Sequence, residues 1–429
     1  MMKPKIAFKT LGCRLNQFET DALISTFNTE GYTIVPFREE ADFYVVNTCT
    51  VTNRSDHKSR NMINQAIRRK EDATVIVTGC MANHFKDRLR EQEGISYVVN
   101  NEHKHAVFSL VDAHLNGEIS DPDSLPANRF GFGTTDHAFH TRSLIKIQDG
   151  CDNFCAYCIV PRVRGRAVSR PVADILDNVR HEVDTGFKEI VLTGVNIGRY
   201  QSENYNFEDL VEKILALPGD FRVRISSIEP EGFGDKLFNL FGHPKLAPHL
   251  HLCIQSGSDE VLRRMRRMYS VSSFMAILDT IRAKYPDFNF TTDIIVGFPG
   301  ETERDFLQTV QVAKDAGFSH IHTFKFSKRS GTRAERMEGQ IPEKVKTGRS
   351  RIIRDVSLKN KLAYYQSMLG KEQQVLFEKT GRNFSAGYGE HYLPVRVIRV
   401  LPRNTLSAVR LDSIVETGEP YLKGTLTED

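Results

Sequence analysis

Six of the seven cysteines in this 429-residue chain occur in two patterns that constrain both its fold and its chemistry. The tighter pattern is Cys151-Asp-Asn-Phe-Cys155-Ala-Tyr-Cys158, a C-x3-C-x2-C spacing in a loop that follows a predicted strand. Three thiolates on one short loop can bind three irons of a cubane [4Fe–4S] cluster and leave the fourth iron open to a small molecule. A zinc site normally takes four protein ligands, or three with water, and this loop has no histidine to complete one. The spacing therefore favours an iron–sulfur cluster.

The second pattern is a cysteine directly after each of three predicted strands in the first 115 residues. Cys13 follows the strand at residues 5–10, Cys49 follows 43–47 and Cys80 follows 74–78, with helices predicted at 17–30 and 55–70. Repeated strand–helix units predict a parallel sheet, and sites form outside the carboxyl ends of its strands. Because three cysteines in equivalent positions are hard to explain as core thiols, we expect them to form one site.

The middle of the chain repeats the strand–helix pattern. Six strands are predicted at residues 144–148, 189–193, 222–226, 251–255, 291–296 and 320–326, and a long charged helix at 343–369. Six such units predict a full or partial barrel whose site lies at the carboxyl ends of the strands. The seventh cysteine, Cys253, lies inside the fourth strand, and we expect it to be a buried thiol.

The last segment, from residue 371 onward, has short β-branched runs separated by glycine and proline. This pattern predicts a small all-β barrel, either of the type that binds oligonucleotides or a structural cap without a ligand. Residues 116–140 lack periodicity and are predicted to be a linker.

Composition adds only broad constraints. Hydrophobic residues make up 40% and charged residues 26% of the chain, which is typical of a globular protein. We expect a cytoplasmic location and no membrane association, because no segment has the pattern of a signal peptide or a membrane span. The formal net charge of +4 does not by itself indicate nucleic-acid binding.

The cysteine motifs and their surroundings resemble those of the radical S-adenosylmethionine (SAM) methylthiotransferases. The resembling segments are TLGCRLN (10–16), NTCTVT (47–52), TGC (78–80), QDGC (148–151), GRAVSR (165–170) and IQSGS (254–258). The resemblance implies an α/β protein in three parts. These are an N-terminal parallel α/β domain over residues 1–115, a partial (β/α)6 radical SAM barrel over 137–368, and a small all-β TRAM barrel over 369–429.

The resemblance also implies the cofactors and their ligands. Cys151, Cys155 and Cys158 would hold the radical SAM [4Fe–4S] cluster, and Cys13, Cys49 and Cys80 would hold an auxiliary [4Fe–4S] cluster. Residues at the strand ends and beside the cysteine loop would contact SAM, namely Tyr157, Gly194, Asn196, Ser226, Glu229, Gln255, Asp293 and Gly297.

Within this family, the segment around Cys13 is closest to enzymes that add a methylthio group to C2 of N6-threonylcarbamoyladenosine at position 37 of tRNA. The implied partners are the tRNA anticodon loop, an electron donor and a sulfur source. Basic residues would contact the RNA, namely Arg162, Arg164, Arg166, Arg263 and Arg264. Three alternatives stay open: an isopentenyladenosine acceptor, a ribosomal protein aspartate acceptor, and a non-catalytic iron–sulfur electron carrier or RNA-binding module.

Overall fold

The computed structural model describes residues 3–118, 120–133 and 141–427 of the chain. The chain divides into two compact units, each made of several segments. The first unit comprises Met1–Phe139, Lys146–Arg170 and Ser327–Glu335, and the second comprises His140–Ile145, Pro171–Phe326 and Arg336–Asp429. The C-x3-C-x2-C loop therefore groups with the N-terminal sheet rather than with the predicted barrel segment. The predicted domain limit at residue 137 lies outside the described residues.

A five-stranded parallel sheet forms the framework of the first unit, with the strand order β2-β1-β3-β4-β5. Its strands are β1 (Lys5–Thr10), β2 (Thr33–Ile34), β3 (Phe43–Thr48), β4 (Thr74–Gly79) and β5 (Tyr97–Val99). Alternate apolar side chains enter two cores, with Val45 in one and Tyr44 and Val46 in the other. The order changes direction between β1 and β3, and ligands of open α/β sheets usually bind at such a switch point. The predicted parallel sheet is confirmed.

Helices and two short strands complete the first unit. The helices are α1 (Arg14–Thr29), α2 (Asn53–Arg69), α3 (Cys80–His84), α4 (Lys86–Arg90), α5 (Val107–Leu115) and α6 (Val160–Val163). After β6 (Ser143–Lys146), strand β7 (Gln148–Asp149) pairs antiparallel with β8 (Val168–Ser169), so the two strands enclose the cysteine loop. The single strand predicted at 144–148 is wrong, because Gln148 pairs with Ser169 in this separate ribbon.

The second unit contains a partial barrel with six strands, the third of which is divided into two short segments, β12 and β13. Its strands are β6, β9 (Glu189–Thr193), β12 (Arg222–Ile225), β13 (Ser227–Ile228), β14 (His249–Leu252), β15 (Asn289–Val296) and β16 (His320–Lys325), and a small hairpin is formed by β10 (Gln201–Ser202) and β11 (Tyr205–Asn206). They form two sheets, β6-β9-β12 and β13-β14-β15-β16, and Ser226 alone separates β12 from β13. This arrangement confirms the predicted partial (β/α)6 barrel.

Helices alternate with these strands. They are α7 (Val172–Asp184), α8 (Phe207–Leu215), α9 (Asp235–Leu240), α10 (Asp259–Arg264), α11 (Val271–Lys284), α12 (Glu303–Ala316) and α13 (Glu343–Ser367). The fourth strand, at His249–Leu252, begins and ends earlier than the predicted 251–255, and Gln255, with a φ of +66°, is not in the extended conformation. The long predicted helix at 343–369 is confirmed as α13. No helix of the described residues is both long and apolar enough to span a bilayer.

The chain ends in a closed five-stranded barrel within the second unit, with the order β17-β18-β19-β21-β20. Its strands are β17 (Glu372–Thr380), β18 (Ser385–Tyr388), β19 (Pro394–Val397), β20 (Thr405–Val415) and β21 (Tyr421–Leu426). Antiparallel pairing of β17 with β20 closes the barrel around a core that includes Val375, Val409 and Leu422. The predicted small all-β barrel is confirmed.

Two buried arginines attach this closed barrel to β12. Arg222 donates to the carbonyl oxygen of Gln374 at 2.7 Å, and Arg224 donates to that of Glu390 at 3.1 Å. Both guanidinium groups also pair with Glu189 of β9, so their charges are compensated inside the protein. The two barrels therefore pack as one unit.

Candidate active site

The structure brings Cys13, Cys49 and Cys80 together at the carboxyl ends of three adjacent strands. Cys13 precedes α1 directly, Cys49 follows the last residue of β3, and Cys80 is the first residue of α3. β1 and β3 flank the switch point of the sheet, so two of the three thiols lie where such sheets usually bind ligands. Cys49 and Cys80 are buried, whereas Cys13 is exposed.

Two glycines permit the close approach of these cysteines. Gly12 has a φ of +101°, and a Cβ on it would lie 2.8 Å from the Cβ and 3.0 Å from the Sγ of Cys49. Gly79 has a φ of +94°, and a Cβ there would lie 2.4 Å from the carbonyl oxygen of Thr48. A side chain at either position would separate the strand ends, because both the space and the left-handed backbone favour glycine.

Burial favours the protonated form of the Cys49 and Cys80 thiols by raising the pKa of each. It raises the pKa of Cys49 to about 11, and the neighbouring Cys80 and Cys13 add to the increase. Burial also raises the pKa of Cys80, against the opposing effect of the Arg164 guanidinium. Because thiolates are the metal-binding form, loading this site must release protons.

The C-x3-C-x2-C loop has a compact backbone that presents three half-buried thiols. The amide of Cys151 donates to the carbonyl of Gly165 at 3.2 Å, and that of Cys158 donates to the carbonyl of Cys155 at 3.0 Å. The amide of Asn153 lies 3.5 Å from the Sγ of Cys151, where it can stabilise a thiolate. These donors fit the three-cysteine side of a cubane cluster.

Neither cysteine set has the spacing of a single-ion site. Among the described residues, one group of three histidine, cysteine or acidic side chains has its ligand atoms within 4.8 Å of one another, and it contains none of these six cysteines. In an iron–sulfur cluster each thiolate binds a different iron, so its sulfurs lie further apart than the ligands of one ion. Neither cysteine set therefore forms a preformed single-ion site among the described residues.

A buried group of charges connects α1 to the cysteine loop within the first unit. Glu19 of α1 accepts hydrogen bonds from Lys104 and, at 2.8 Å, from Lys146. Arg164 donates to Glu19 at 3.0 Å and to Asn16 at 2.6 Å. Burial alone would raise the pKa of Glu19, but the three cations hold it well below its usual range. The carboxylate therefore stays ionised inside the protein.

Asp149 extends this network to the turn that opens the cysteine loop. Its carboxylate lies 2.7 Å from Lys146 and 3.0 Å from Arg164, and it accepts the amide of Gly150 at 2.7 Å. Arg164 is therefore held both by the helix that follows Cys13 and by the strand that precedes the loop. This role of Asp149 and of Glu19 was not predicted from the sequence. The available signal was a run of polar residues on the buried side of α1.

The predicted RNA-binding arginines fall into different environments. Arg166 and Arg263 expose 77% and 70% of their side chains, although each has an acidic neighbour. Arg162 is exposed, and Arg264 is half-buried beside the carbonyl oxygen of Gly300 at 3.3 Å. Arg164 is only 4% exposed and fully paired. The prediction that Arg164 contacts RNA therefore does not hold, because sequence spacing does not reveal which side of the loop faces inward.

The predicted SAM contacts of the second unit lie at or near strand ends. Gly194 and Asn196 follow β9, Ser226 follows β12, Glu229 follows β13, Gln255 follows β14, and Gly297 follows β15. Gln255 has a left-handed backbone conformation, and its backbone N–H donates to the carbonyl oxygen of Asp293 at 2.9 Å. This hydrogen bond joins the chain after β14 to β15 beyond the end of their regular pairing. Asp293 lies within β15 rather than at its end. Tyr157 lies in the cysteine loop and is half-buried.

Some of these groups have partners that the sequence did not indicate. Glu229 pairs with the buried Arg267, and the amide of Gly297 donates to Glu301 at 2.6 Å. The hydroxyl of Tyr269 donates to the carbonyls of Cys253 and Ile254, each at 2.9 Å. These contacts order the loops at the strand ends, where a barrel of this type positions its site.

Gly150→Ala should disrupt the cysteine loop. Gly150 has a φ of +72°, and a Cβ there would lie 2.0 Å from the carbonyl oxygen of Arg166, so the backbone must move. We expect loss of the iron held by this loop, measured as iron content and visible absorbance after anaerobic reconstitution.

The matched control is Gly348→Ala, because Gly348 lies in α13 with open space around its Cβ position. It should leave iron content unchanged and stabilise the helix by about 1 kcal/mol. Equal iron in the wild type and Gly150→Ala would contradict the steric account.

Family comparisons give two matches along the chain. A profile described as "Uncharacterized protein family UPF0004" matches residues 5–100, and one described as "Radical SAM superfamily" matches residues 145–313. The first contains Cys13, Cys49 and Cys80, and the second contains the C-x3-C-x2-C loop and most of the partial barrel.

Relatives of similar length cover nearly all of the chain. "Threonylcarbamoyladenosine tRNA methylthiotransferase MtaB" of Thermotoga maritima is 37% identical over 99% of this chain and 98% of its own length. The protein of the same name from Bacillus subtilis is 36% identical over 98% of this chain and 95% of its own length. A "tRNA-2-methylthio-N(6)-dimethylallyladenosine synthase" of Cereibacter sphaeroides is 32% identical over 88% of each chain.

Solved structures share the fold at low identity. The radical SAM methyltransferase TsrM of Kitasatospora setae, solved with cobalamin and a [4Fe–4S] cluster, has a TM-score of 0.56 at 15% identity and covers 76% of this chain and 75% of its own. The likeness extends beyond the barrel segment alone.

Proposed function

Because the chain belongs to the radical SAM methylthiotransferase family, we propose that it adds a methylthio group to C2 of N6-threonylcarbamoyladenosine at position 37 of tRNA. The enzyme is a SAM-dependent transferase, and its superfamily uses a [4Fe–4S] cluster. Four relatives with threonylcarbamoyladenosine in their names are 34% to 37% identical to this chain, against 32% for the dimethylallyladenosine enzymes. This difference supports the threonylcarbamoyl substrate.

The convergence of three strand-end cysteines beside the switch point, two of them directly at it, is the observation that carries the proposal. A radical generator alone needs only the C-x3-C-x2-C loop, and a second cysteine set gives a place for the sulfur that is transferred. We infer that Cys13, Cys49 and Cys80 hold a second [4Fe–4S] cluster. The exposed thiol of Cys13 marks the side of this set that solvent and substrate can reach.

Cys151, Cys155 and Cys158 would hold a cluster that would supply the electron for cleavage of SAM, and so the radical chemistry needed at the unreactive C–H bond of adenine C2. The chain's own residues hold and orient the reacting groups. Arg164, Glu19 and Asp149 join the loop to α1, so the two cysteine sets are positioned by one buried network. The C2 position of a stacked base is inaccessible, so the target adenosine must leave its stack in the anticodon loop.

The electron and the sulfur come from outside the chain, from a reductant and a sulfur source. Within the proposal, Arg162, Arg166, Arg263 and Arg264 contact tRNA phosphates, and the strand-end residues of the second unit contact SAM. The exposure of Arg162, Arg166 and Arg263 supports these three over Arg264 as RNA candidates.

Expression of the chain in a bacterium that lacks 2-methylthio nucleosides tests the substrate. We expect mass spectrometry of digested tRNA to show 2-methylthio-N6-threonylcarbamoyladenosine and unchanged isopentenyladenosine. A 2-methylthio group on isopentenyladenosine alone would overturn the assignment in favour of the second acceptor. Modification of a ribosomal protein aspartate with unmodified tRNA would exclude both nucleosides.

Replacing the exposed arginines should weaken tRNA binding in a salt-dependent way. Each phosphate contact releases counterions, so Arg166→Ala or Arg263→Ala should reduce the slope of log Kd against log salt by about 1. Fluorescence anisotropy with unmodified tRNA measures this slope. Arg180→Ala is the control, because Arg180 is an exposed arginine of α7 that is paired with Asp177. An equal effect of all three substitutions would show that net charge, not position, determines binding.

A further inference from the structure

Two adjacent barrel strands of the second unit, β14 and β15, bring together His251, Cys253 and Asp293. The imidazole Nε2 of His251 lies 3.1 Å from Asp293 Oδ1, and the thiol of Cys253 donates to Asp293 Oδ2 at 3.8 Å. All three ligand atoms lie within 4.8 Å of one another. No other such group occurs in the parts of the chain that the structure describes, and none of the three belongs to the predicted cluster ligands.

The pairing of β14 with β15 creates this group. His251 pairs with Thr291 in the parallel register, so Asp293, two residues further along, has its side chain on the same side of the sheet. Cys253, two residues after His251, falls on that side as well. His322 of β16 pairs with Asp293, and its ring centroid lies 5.4 Å from that of His251. The face therefore collects nitrogen, sulfur and oxygen donors.

Further hydrogen bonds orient the three groups. The Oγ1 of Thr291 lies 2.9 Å from Nδ1 of His251, which leaves Nε2 directed at Asp293. The hydroxyl of Tyr269 donates to the backbone carbonyl of Cys253 at 2.9 Å. In metal sites a hydrogen bond to the second imidazole nitrogen selects the tautomer and the ring orientation. The Thr291 contact has this geometry.

We propose that His251 Nε2, Cys253 Sγ and a carboxylate oxygen of Asp293 bind one zinc ion, with a fourth position open to water or to an anionic group. A tetrahedral zinc with bonds of about 2.0–2.3 Å has ligand atoms about 3.3–3.8 Å apart. The separations of 3.1 Å from His251 Nε2 to Asp293 Oδ1 and 3.8 Å from Cys253 Sγ to Asp293 Oδ2 are close to this range, so side-chain rotations can bring the three ligands around one ion. Three protein ligands with an open fourth position are typical of zinc sites that bind a further molecule.

The donor set favours zinc over magnesium and calcium. A thiolate with an imidazole disfavours magnesium and calcium, which prefer oxygen ligands. His251 and Cys253 are buried, whereas Asp293 exposes 27% of its side chain, so an ion can enter from that side. The site differs from the plain buried thiol that the sequence predicts for Cys253, and it gives Asp293 a role other than contact with SAM.

Zinc content and coordination of the holoenzyme test this proposal without reference to activity. The anaerobically purified protein is incubated with zinc chloride and dialysed, and zinc and iron are measured by mass spectrometry. We expect about one zinc per chain, with a zinc-edge X-ray absorption spectrum of one sulfur and otherwise nitrogen and oxygen neighbours.

Variants then assign the ligands. His251→Ala and Asp293→Asn should lose the zinc at unchanged iron content, and Cys253→Ser should lose the sulfur neighbour. Thr291→Val keeps the size of the side chain but removes its hydrogen bond, and it should weaken zinc binding roughly 10- to 100-fold. His181→Ala is the matched control, because His181 is an exposed histidine of α7 in the same unit.

Each contrary result overturns the site. No zinc retained by the wild type, or equal zinc in the wild type, His251→Ala and Asp293→Asn, would show that the three groups form only hydrogen bonds. Two or more sulfur neighbours would place the zinc on cluster cysteines instead. Circular dichroism of every variant separates loss of the ion from loss of the fold, and the conservative Cys253→Ser and Thr291→Val keep the test valid if His251→Ala does not fold.

Discussion

Cys13→Ala is expected to abolish the methylthio product while SAM cleavage continues. Cys13 is exposed. It is the N-cap residue of α1, but its side chain does not cap the helix with a hydrogen bond, so its replacement should leave the fold intact. If two clusters are present, iron should fall from about eight to about four per chain. The 5′-deoxyadenosine formed from SAM and the nucleosides of the tRNA are measured together by liquid chromatography and mass spectrometry.

Cys151→Ala provides the opposite pattern, because it removes a ligand of the C-x3-C-x2-C loop. We expect it to lose 5′-deoxyadenosine and methylthio product together. Comparison of these two single-cysteine variants thus distinguishes loss of radical generation from loss of sulfur insertion. If Cys13→Ala retained the product at the wild-type rate, the assignment of the strand-end cysteines to sulfur insertion would be wrong.

Glu19→Gln is expected to destabilise the first unit by about 3–5 kcal/mol, because it leaves buried cations without their main counter-ion. Lys104 would lose its only carboxylate partner among the described contacts. Arg164 and Lys146 would keep one carboxylate partner, Asp149. Hydrogen exchange of the amides of α1 and α6 measures the effect, and rates should rise by about two to four orders of magnitude.

The pH dependence of this effect has a defined sign. The pKa of Glu19 is lowered in the folded state, so its contribution is complete above its unfolded pKa of about 4.3 and is lost as the pH falls below it. The difference between wild type and Glu19→Gln should therefore be largest at neutral pH and shrink in acid. Glu260→Gln is the control, because it breaks an exposed pair with Arg263 and should cost less than about 1 kcal/mol. Equal exchange rates in wild type and Glu19→Gln would contradict the stabilising role of the network.

Local patterns were sufficient to predict that Cys13, Cys49 and Cys80 lie at the carboxyl ends of strands. The strands that precede Cys49 and Cys80 can be predicted from their own apolar residues. A parallel sheet places the carboxyl ends of such strands along one edge. The switch point between β1 and β3 was not predictable, because the edge strands β2 and β5 have only two and three residues and too little sequence to show a period. Their positions depend on packing against the rest of the sheet.

Long-range pairing explains what the sequence did not reveal. Glu19 pairs with Lys146, 127 residues away, and Arg164 looks like the neighbouring exposed arginines until its contact with α1 is known. Burial of Cys253 was predicted from its apolar strand and is confirmed. Its proximity to Asp293 depends on the register of β14 with β15, which the sequence does not specify.

The most direct test of sulfur insertion is an anaerobic reaction of the reconstituted protein with SAM, a reductant, sulfide and tRNA that carries N6-threonylcarbamoyladenosine. Nucleoside mass spectrometry should show 2-methylthio-N6-threonylcarbamoyladenosine in an amount that depends on protein, SAM and tRNA. Formation of 5′-deoxyadenosine without any methylthio nucleoside, under conditions in which both cysteine sets are loaded with iron, would contradict the account.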